Sequence, residues 1–80
     1  MIPDFDNVSQ RAWKYYEAYG QTNGVGYTKL NNFGHVDANG VDAISVYFQE
    51  LHPNVKLDTI PDTFEGWPVK IQVIGEIVAL

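Results

Sequence analysis

The stretch that decides the fold of this chain is IPDTFEGWPVKIQVIGEIVAL, residues 60–80. Pro61, followed by a glycine and a second proline, predicts a turn, because these residues favour turn conformations of the backbone. The apolar and polar residues that come next alternate, which is typical of a strand with one buried face. After Ile74 the residues that would point to either face of the strand are apolar, which indicates a bulge at Gly75 or burial of both faces. The stretch therefore predicts a closing strand over 69–80.

The beginning of the chain predicts a helix. Apolar residues recur with a period of 3.6 between Val8 and Tyr19, as they do on the buried face of an amphipathic helix. Asp6 or Asn7 is the predicted N-cap residue. Gly20 is the predicted left-handed residue that ends the helix.

Two more strands are predicted, over 25–30 and 41–51. In the second, Ile44, Val46 and Phe48 point to one face and the intervening residues to the other. Prolines exclude a continuous helix from the long connection that follows, residues 52–68. The order helix, strand, strand, strand predicts an α+β fold, with the N-terminal helix packed on one face of a three-stranded, mainly antiparallel sheet. The 80 residues form a single small domain.

Composition restricts the partners that the chain is expected to bind. Ten acidic residues against five basic ones give a net charge of −5, so nucleic acid and anionic membranes are not expected partners. The sequence has no apolar run long enough to span a membrane and no recognisable signal peptide, which predicts a cytoplasmic location. There are no cysteines to form disulfides or thiolate metal sites, and a domain this small has a thin core. Self-association is therefore the expected source of additional stability.

A series of turn and strand signatures runs through most of the chain: Gly24-Val25-Gly26, Ala43-Ile44-Ser45-Val46-Tyr47-Phe48, Ile60-Pro61, Glu65-Gly66-Trp67-Pro68-Val69 and Gly75-Glu76-Ile77. This series, over residues 22–80, resembles the small accessory domain that precedes trypsin-like serine protease domains in some bacterial proteins of unknown function. The catalytic Ser, His and Asp of those proteins lie outside the matching segment, so no catalytic residue is carried over. The resemblance implies a stand-alone copy of an accessory domain.

The motifs that could carry chemistry have simpler structural explanations. The segment Asp37-Ala38-Asn39-Gly40-Val41-Asp42 offers oxygen atoms at alternate positions, as calcium loops do. The glycine of this segment does not stand where a calcium loop has its glycine, and Phe48 occupies the position expected to hold a bidentate glutamate. An Asn-Gly turn explains the segment instead. His35 beside Asp37 is interpreted as a surface histidine rather than an acid–base pair. Gly24-Val25-Gly26 follows a helix and precedes a strand, the reverse of a nucleotide-binding loop.

The sequence thus predicts no catalytic, cofactor-binding or metal-binding residue and a protein that is not an enzyme. Aromatic side chains are the remaining functional candidates, because one helix cannot bury all of them and exposed aromatics are enriched in interfaces. The residues predicted to contact a partner are Trp13, Tyr16, Tyr47 and Trp67. The predicted function is a protein-interaction or self-associating module. The alternative is an inhibitor or folding-assistant domain, similar to a propeptide, that acts on a trypsin-like protease.

The predicted sheet has a second face that the helix does not cover. A homodimer that pairs sheet faces or sheet edges, with Tyr47 near the contact, would cover it. The competing possibility is a monomer in which the connection 52–68 folds across this face, with Phe64 and Trp67 as the cover.

Overall fold

A computed structural model of the protein describes residues 4–75 and confirms the α+β class. The elements are α1 (Phe5–Tyr16), β1 (Gly20–Leu30), β2 (Val41–Leu51), a short 3-10 helix (Leu57–Thr59), β3 (Thr63–Phe64) and β4 (Trp67–Val73). Within these residues no helix has the length and apolar character needed to cross a lipid bilayer.

The sheet differs from the prediction in strand number and in direction. It has four strands in the order β1-β2-β4-β3. β1 and β2 are antiparallel, β4 runs parallel to β2, and β3 forms an antiparallel hairpin with β4. The predicted three-stranded, mainly antiparallel sheet is compatible with this arrangement in that two of the three strand pairings are antiparallel, but the structure adds a fourth strand and one parallel pairing. The alternation of side chains encodes which face of a strand is buried, but it does not encode the direction of the strand. The connection 52–66 is long enough to return the chain to a parallel position.

Helix α1 begins and ends earlier than predicted. Its N-cap residue is Asp4, so Asp6 and Asn7 lie inside the first turn. Gly20 does not end the helix but begins β1. A Cβ atom at Gly20 would lie 2.6 Å from the carbonyl oxygen of Glu50, so close strand packing explains why this residue is glycine.

The core lies between the sheet and a layer on one of its faces, here called the helix face. Ile44, Val46 and Phe48 are fully buried and pack in one cluster with Val8, Ala12 and Tyr16 of the helix and with Val69 of β4. Ala43 and Ser45, on the alternate positions of β2, are also buried but do not belong to this cluster, which confirms the predicted parity of β2. The opposite side of the sheet, here called the open face, carries the alternate residues of the same strands.

The connection between β2 and β4 completes the layer on the helix face. Ile60 is buried in the core cluster, and Val55 and Phe64 pack against it. The Tyr16 hydroxyl donates a hydrogen bond of 2.8 Å to the carbonyl oxygen of Pro61, which joins the helix to the connection. Burial raises the pKa of Tyr16 well above its usual range, so this hydroxyl stays a donor. Phe64 and Trp67, the two residues expected to cover the open face in the monomer alternative, therefore pack on the helix face.

A tight turn between β3 and β4 is clamped to the helix. Glu65 and Gly66 both have positive φ, 51° and 83°, as a two-residue turn of type I′ requires. The Glu65 carboxylate accepts two hydrogen bonds of 2.7 Å from the guanidinium of Arg11. These bonds lower the pKa of Glu65 below its ordinary value of 4.5.

This ion pair predicts a pH-dependent stability difference. Because the pKa of Glu65 is lowered by folding, its contribution is complete above pH 4.5 and is lost as the pH falls through the lowered pKa. Glu65→Gln should therefore lower the denaturation midpoint at pH 7, by a small amount because the pair is exposed, and the difference should be smaller at pH 3. Urea melts of both proteins at the two pH values test this. Equal midpoints at pH 7 would show that the clamp contributes nothing.

The predicted closing strand is shorter in the structure. β4 ends at Val73, although the Ile74 N–H still donates a hydrogen bond of 2.9 Å to the carbonyl oxygen of Phe48. Gly75 has a φ of 69°, so the backbone leaves the extended conformation there. The remainder of the predicted strand, residues 76–80, lies outside the described residues.

Candidate interaction surface

The loop between β1 and β2, residues 31–40, begins with a turn that is fixed by its own side chains. The Gly34 N–H donates a hydrogen bond of 3.0 Å to the carbonyl oxygen of Asn31. The side-chain oxygen of Asn31 accepts two more, from the N–H groups of Phe33 at 2.9 Å and His35 at 3.1 Å. Phe33 is thus held at the tip of a defined turn, with its side chain 83% exposed.

The loop then folds back along the edge of β1. The Asn31 N–H donates to the carbonyl oxygen of His35 at 2.9 Å, and the Asp37 N–H donates to that of Lys29 at 3.0 Å. These bonds form an antiparallel bridge between Leu30 and Val36. Because β2 occupies the other edge of β1, the segment 35–37 covers the outer edge of β1 at its last residues.

This arrangement places three apolar side chains in one row on the open face. Leu30 pairs with Val41 on one side and with Val36 on the other. Residues that pair directly across antiparallel strands share a face of the sheet. Leu30 is buried in the middle, whereas Val36 is 65% exposed and Val41 is 61% exposed. Phe33, Val36 and Val41 together are called the loop patch below.

A groove of about 350 Å³ lies beside the loop patch. Its apolar lining residues are Leu30, Phe33, Val41, Pro68 and Val69, so two members of the loop patch also line the groove. Polar residues complete the lining: Asn31, Asn32, Asp62 and Thr63. A lining that combines apolar side chains with a few polar groups is the usual composition of a surface that binds another molecule.

Two of the four predicted interaction residues lie in the core instead. Tyr16 has no exposed surface and Trp67 is 8% exposed, and both belong to the core cluster. The prediction that they contact a partner is corrected for this reason. Tyr16 lies on the apolar stripe of the helix, and Trp67 packs against Phe5 with their ring centroids 5.8 Å apart.

The other two predicted residues are accessible but lie on different faces of the protein. Trp13 is 39% exposed on the helix, and its indole N–H donates a hydrogen bond of 2.7 Å to the Glu17 carboxylate. Tyr47 is half-buried on the open face, where its ring lies 3.8 to 3.9 Å from the positions that Cβ atoms would occupy at Gly24 and Gly26. The fold therefore does not bring Trp13 and Tyr47 together.

The residues considered for metal or acid–base chemistry have structural partners. The Asp37 carboxylate accepts a hydrogen bond of 2.9 Å from the Asn39 N–H, and the Asp42 carboxylate accepts one from the Tyr27 hydroxyl. The bond to Asp42 raises the pKa of Tyr27. Among residues 4–75, no three metal-ligating side chains come together.

The composition of residues 31–40 does not predict the loop patch. Most of these residues are Asn, Asp, Gly or His, which predicts only a polar loop. The available signal was the presence of a phenylalanine and a valine in that polar setting, since loops seldom expose large apolar residues without a reason. The sequence does not predict that Val36 and Val41 lie in one row, because this row forms only when the loop folds back along β1.

Comparison with protein families, curated proteins and solved structures finds no match to this chain.

Proposed function

We propose that this chain is a protein-interaction module that binds its partner through the loop patch and the adjoining groove. The observation that carries the proposal is the strong exposure of three apolar side chains, two of which, Phe33 and Val41, line a groove of mixed apolar and polar composition. Exposed apolar groups that are contiguous and bordered by polar residues are typical of interaction sites. The cytoplasm remains the predicted location.

The backbone that carries the loop patch is held by hydrogen bonds and strand pairing, which supports a role of the patch in binding. Val41 belongs to β2, and Val36 is joined to β1 by the bridge to Leu30. The turn that contains Phe33 is held by three hydrogen bonds. A backbone that is already ordered loses little conformational entropy when a partner binds.

The alternative of a domain that inhibits a trypsin-like protease remains a prediction, and the loop does not favour it. Trypsin-like enzymes recognise a basic side chain in their primary specificity pocket. Residues 31–40, which carry the most exposed apolar side chain, include neither lysine nor arginine.

A comparison of variants in an affinity capture tests the proposal. The wild-type domain and two variants, Phe33→Ser and Leu57→Ser, serve as immobilised baits in extracts of the source cells. Leu57 is the matched control, because it is an apolar side chain, 53% exposed, in the 3-10 helix away from the groove.

We expect a partner that binds the wild type and the Leu57 variant but binds the Phe33 variant at least about tenfold more weakly. Calorimetry with the purified partner would measure this difference. If every captured protein binds all three baits equally, the loop patch is not a binding surface and the proposal is wrong.

A further inference from the structure

We propose that the partner of the loop patch is a second copy of this chain, related by a two-fold axis, with Phe33 of each copy inserted into the groove of the other. This inference rests on the proposed function, because it requires the loop patch to be an interaction surface. A two-fold contact uses the same surface on both copies, so that surface must be complementary to itself. Here a protruding apolar side chain, Phe33, lies at a groove that has further apolar lining residues in Leu30, Val41 and Pro68.

The sizes of the two parts agree with this arrangement. Phe33 is 83% exposed, so nearly all of its ring is available to enter another molecule. The groove, at about 350 Å³, has room for a phenyl ring, and its apolar lining of Leu30, Val41 and Pro68 suits one. An aromatic anchor in a pocket near the centre of an interface is the usual form of a binding hot spot.

The surroundings of the loop patch suit the border of such an interface. A stable dimer buries about 800 Å² on each copy, which is more than three side chains can supply. The neighbouring part of the open face provides the partly exposed polar side chains of Thr28 and Lys70, because their strand partners Ala43 and Ser45 are buried. Polar residues of this kind are typical of an interface rim.

The charges near the groove allow two copies to face one another. Asp62 lines the groove, and Lys70 lies two residues after Pro68 along β4. Opposite charges on one surface can pair across a two-fold axis, whereas a surface of one sign would repel its copy. The net charge of −5 on each copy still opposes association at low salt. Dimer formation should therefore persist or strengthen as salt is added.

Pairing of β1 edges is the less favourable way to form a dimer. The loop already covers the outer edge of β1 at Leu30, and the register of β1 is irregular between Gln21 and Gly24. Bulges and covered ends are common devices that keep edge strands from pairing. Within residues 4–75, this leaves only a short central stretch of the β1 edge available to a second copy.

Sedimentation equilibrium over a hundredfold concentration range, up to about 1 mM, tests the inference. We expect a reversible dimer for the wild type and for the control Leu57→Ala. We expect dimerisation at least about tenfold weaker for Phe33→Ala, with an unchanged thermal melt of the dilute protein. A wild type that stays monomeric throughout overturns the inference, as does an equal loss of dimer in the two variants.

The absence of cysteine from the chain permits a direct test of geometry. Chains carrying Asn32→Cys, next to Phe33, are mixed with mass-tagged chains carrying Thr63→Cys, which lies in the groove lining. Under mild oxidation this pair should form mixed disulfide dimers much faster than a control pair of Asn32→Cys with Leu57→Cys. Equal rates overturn the proposed arrangement.

The two proposals fail in different ways. If the chain is a monomer but a captured protein still depends on Phe33, the partner is another protein and only the self-association is wrong. If the chain is a monomer and no captured protein depends on Phe33, both proposals are wrong.

Discussion

Replacing Phe48 by alanine is expected to lower the free energy of unfolding by about 3–5 kcal/mol. Phe48 is fully buried at the centre of β2, and its ring centroid lies 6.4 Å from that of Tyr16. Alanine would leave a cavity between the helix and the sheet that neither element can close. Because small domains are stable by only about 5–15 kcal/mol, much of this protein should unfold. Urea denaturation followed by circular dichroism measures the change.

Phe33→Ala is the matched control for this experiment. It makes the same chemical change at a side chain that is 83% exposed. Surface substitutions usually change stability by less than about 0.5 kcal/mol, so the control should melt like the wild type. A loss below about 1 kcal/mol for Phe48→Ala would mean that this face of β2 does not carry the core.

The second large effect is expected for Gly40→Ala, where the chain passes from the loop into β2. A Cβ atom at residue 40 would lie 2.3 Å from the carbonyl oxygen of Leu30 and 2.4 Å from its carbonyl carbon. Both are backbone atoms, so no side chain can move aside to relieve the contact. We expect a loss of roughly 1–3 kcal/mol, as for other substitutions that overpack a tight site.

Gly24→Ala provides the opposite case within the same sheet. There the nearest atom to the new Cβ would be Cδ2 of Tyr47, at an ordinary distance of 3.9 Å. Alanine restricts the unfolded chain more than glycine does, so this variant should be as stable as the wild type or slightly more stable. If Gly40→Ala matched it in denaturant melts, the close approach of loop and strand would be disproved.

Gly40→Ala should also weaken whatever binds the loop patch. The close approach at Leu30 sets the path of the loop, and that path places Val36 and Val41 in one row. Binding measured below the unfolding transition should therefore fall in Gly40→Ala but not in Gly24→Ala. Unchanged binding would show that the loop patch does not depend on the close packing of Gly40 against Leu30.

The aromatic residues show which part of the candidate site can be predicted from the sequence. The aromatic residues were correctly treated as too numerous for one helix, and Trp13 is accessible as expected. Which aromatics stay outside depends on what packs above them, and Trp67 is covered by tertiary contacts that its neighbours in sequence do not reveal. Phe33 was overlooked because an apolar residue in a polar loop has no periodic partners to mark it.

The sequence by itself determined the local features of this protein. The period of 3.6 marked the buried side of α1, and the period of two marked Ile44, Val46 and Phe48 as core residues. Both periods follow from backbone geometry within one element, so they can be read without knowing what packs against it.

Only the tertiary structure decided how these elements meet. The parallel direction of β4 depends on how the connection 52–66 packs over the helix face. The loop patch depends on the fold-back of residues 35–37 onto the edge of β1. Both are contacts between segments whose side-chain patterns are equally compatible with other arrangements, and the balance among those arrangements is set by packing over the whole domain.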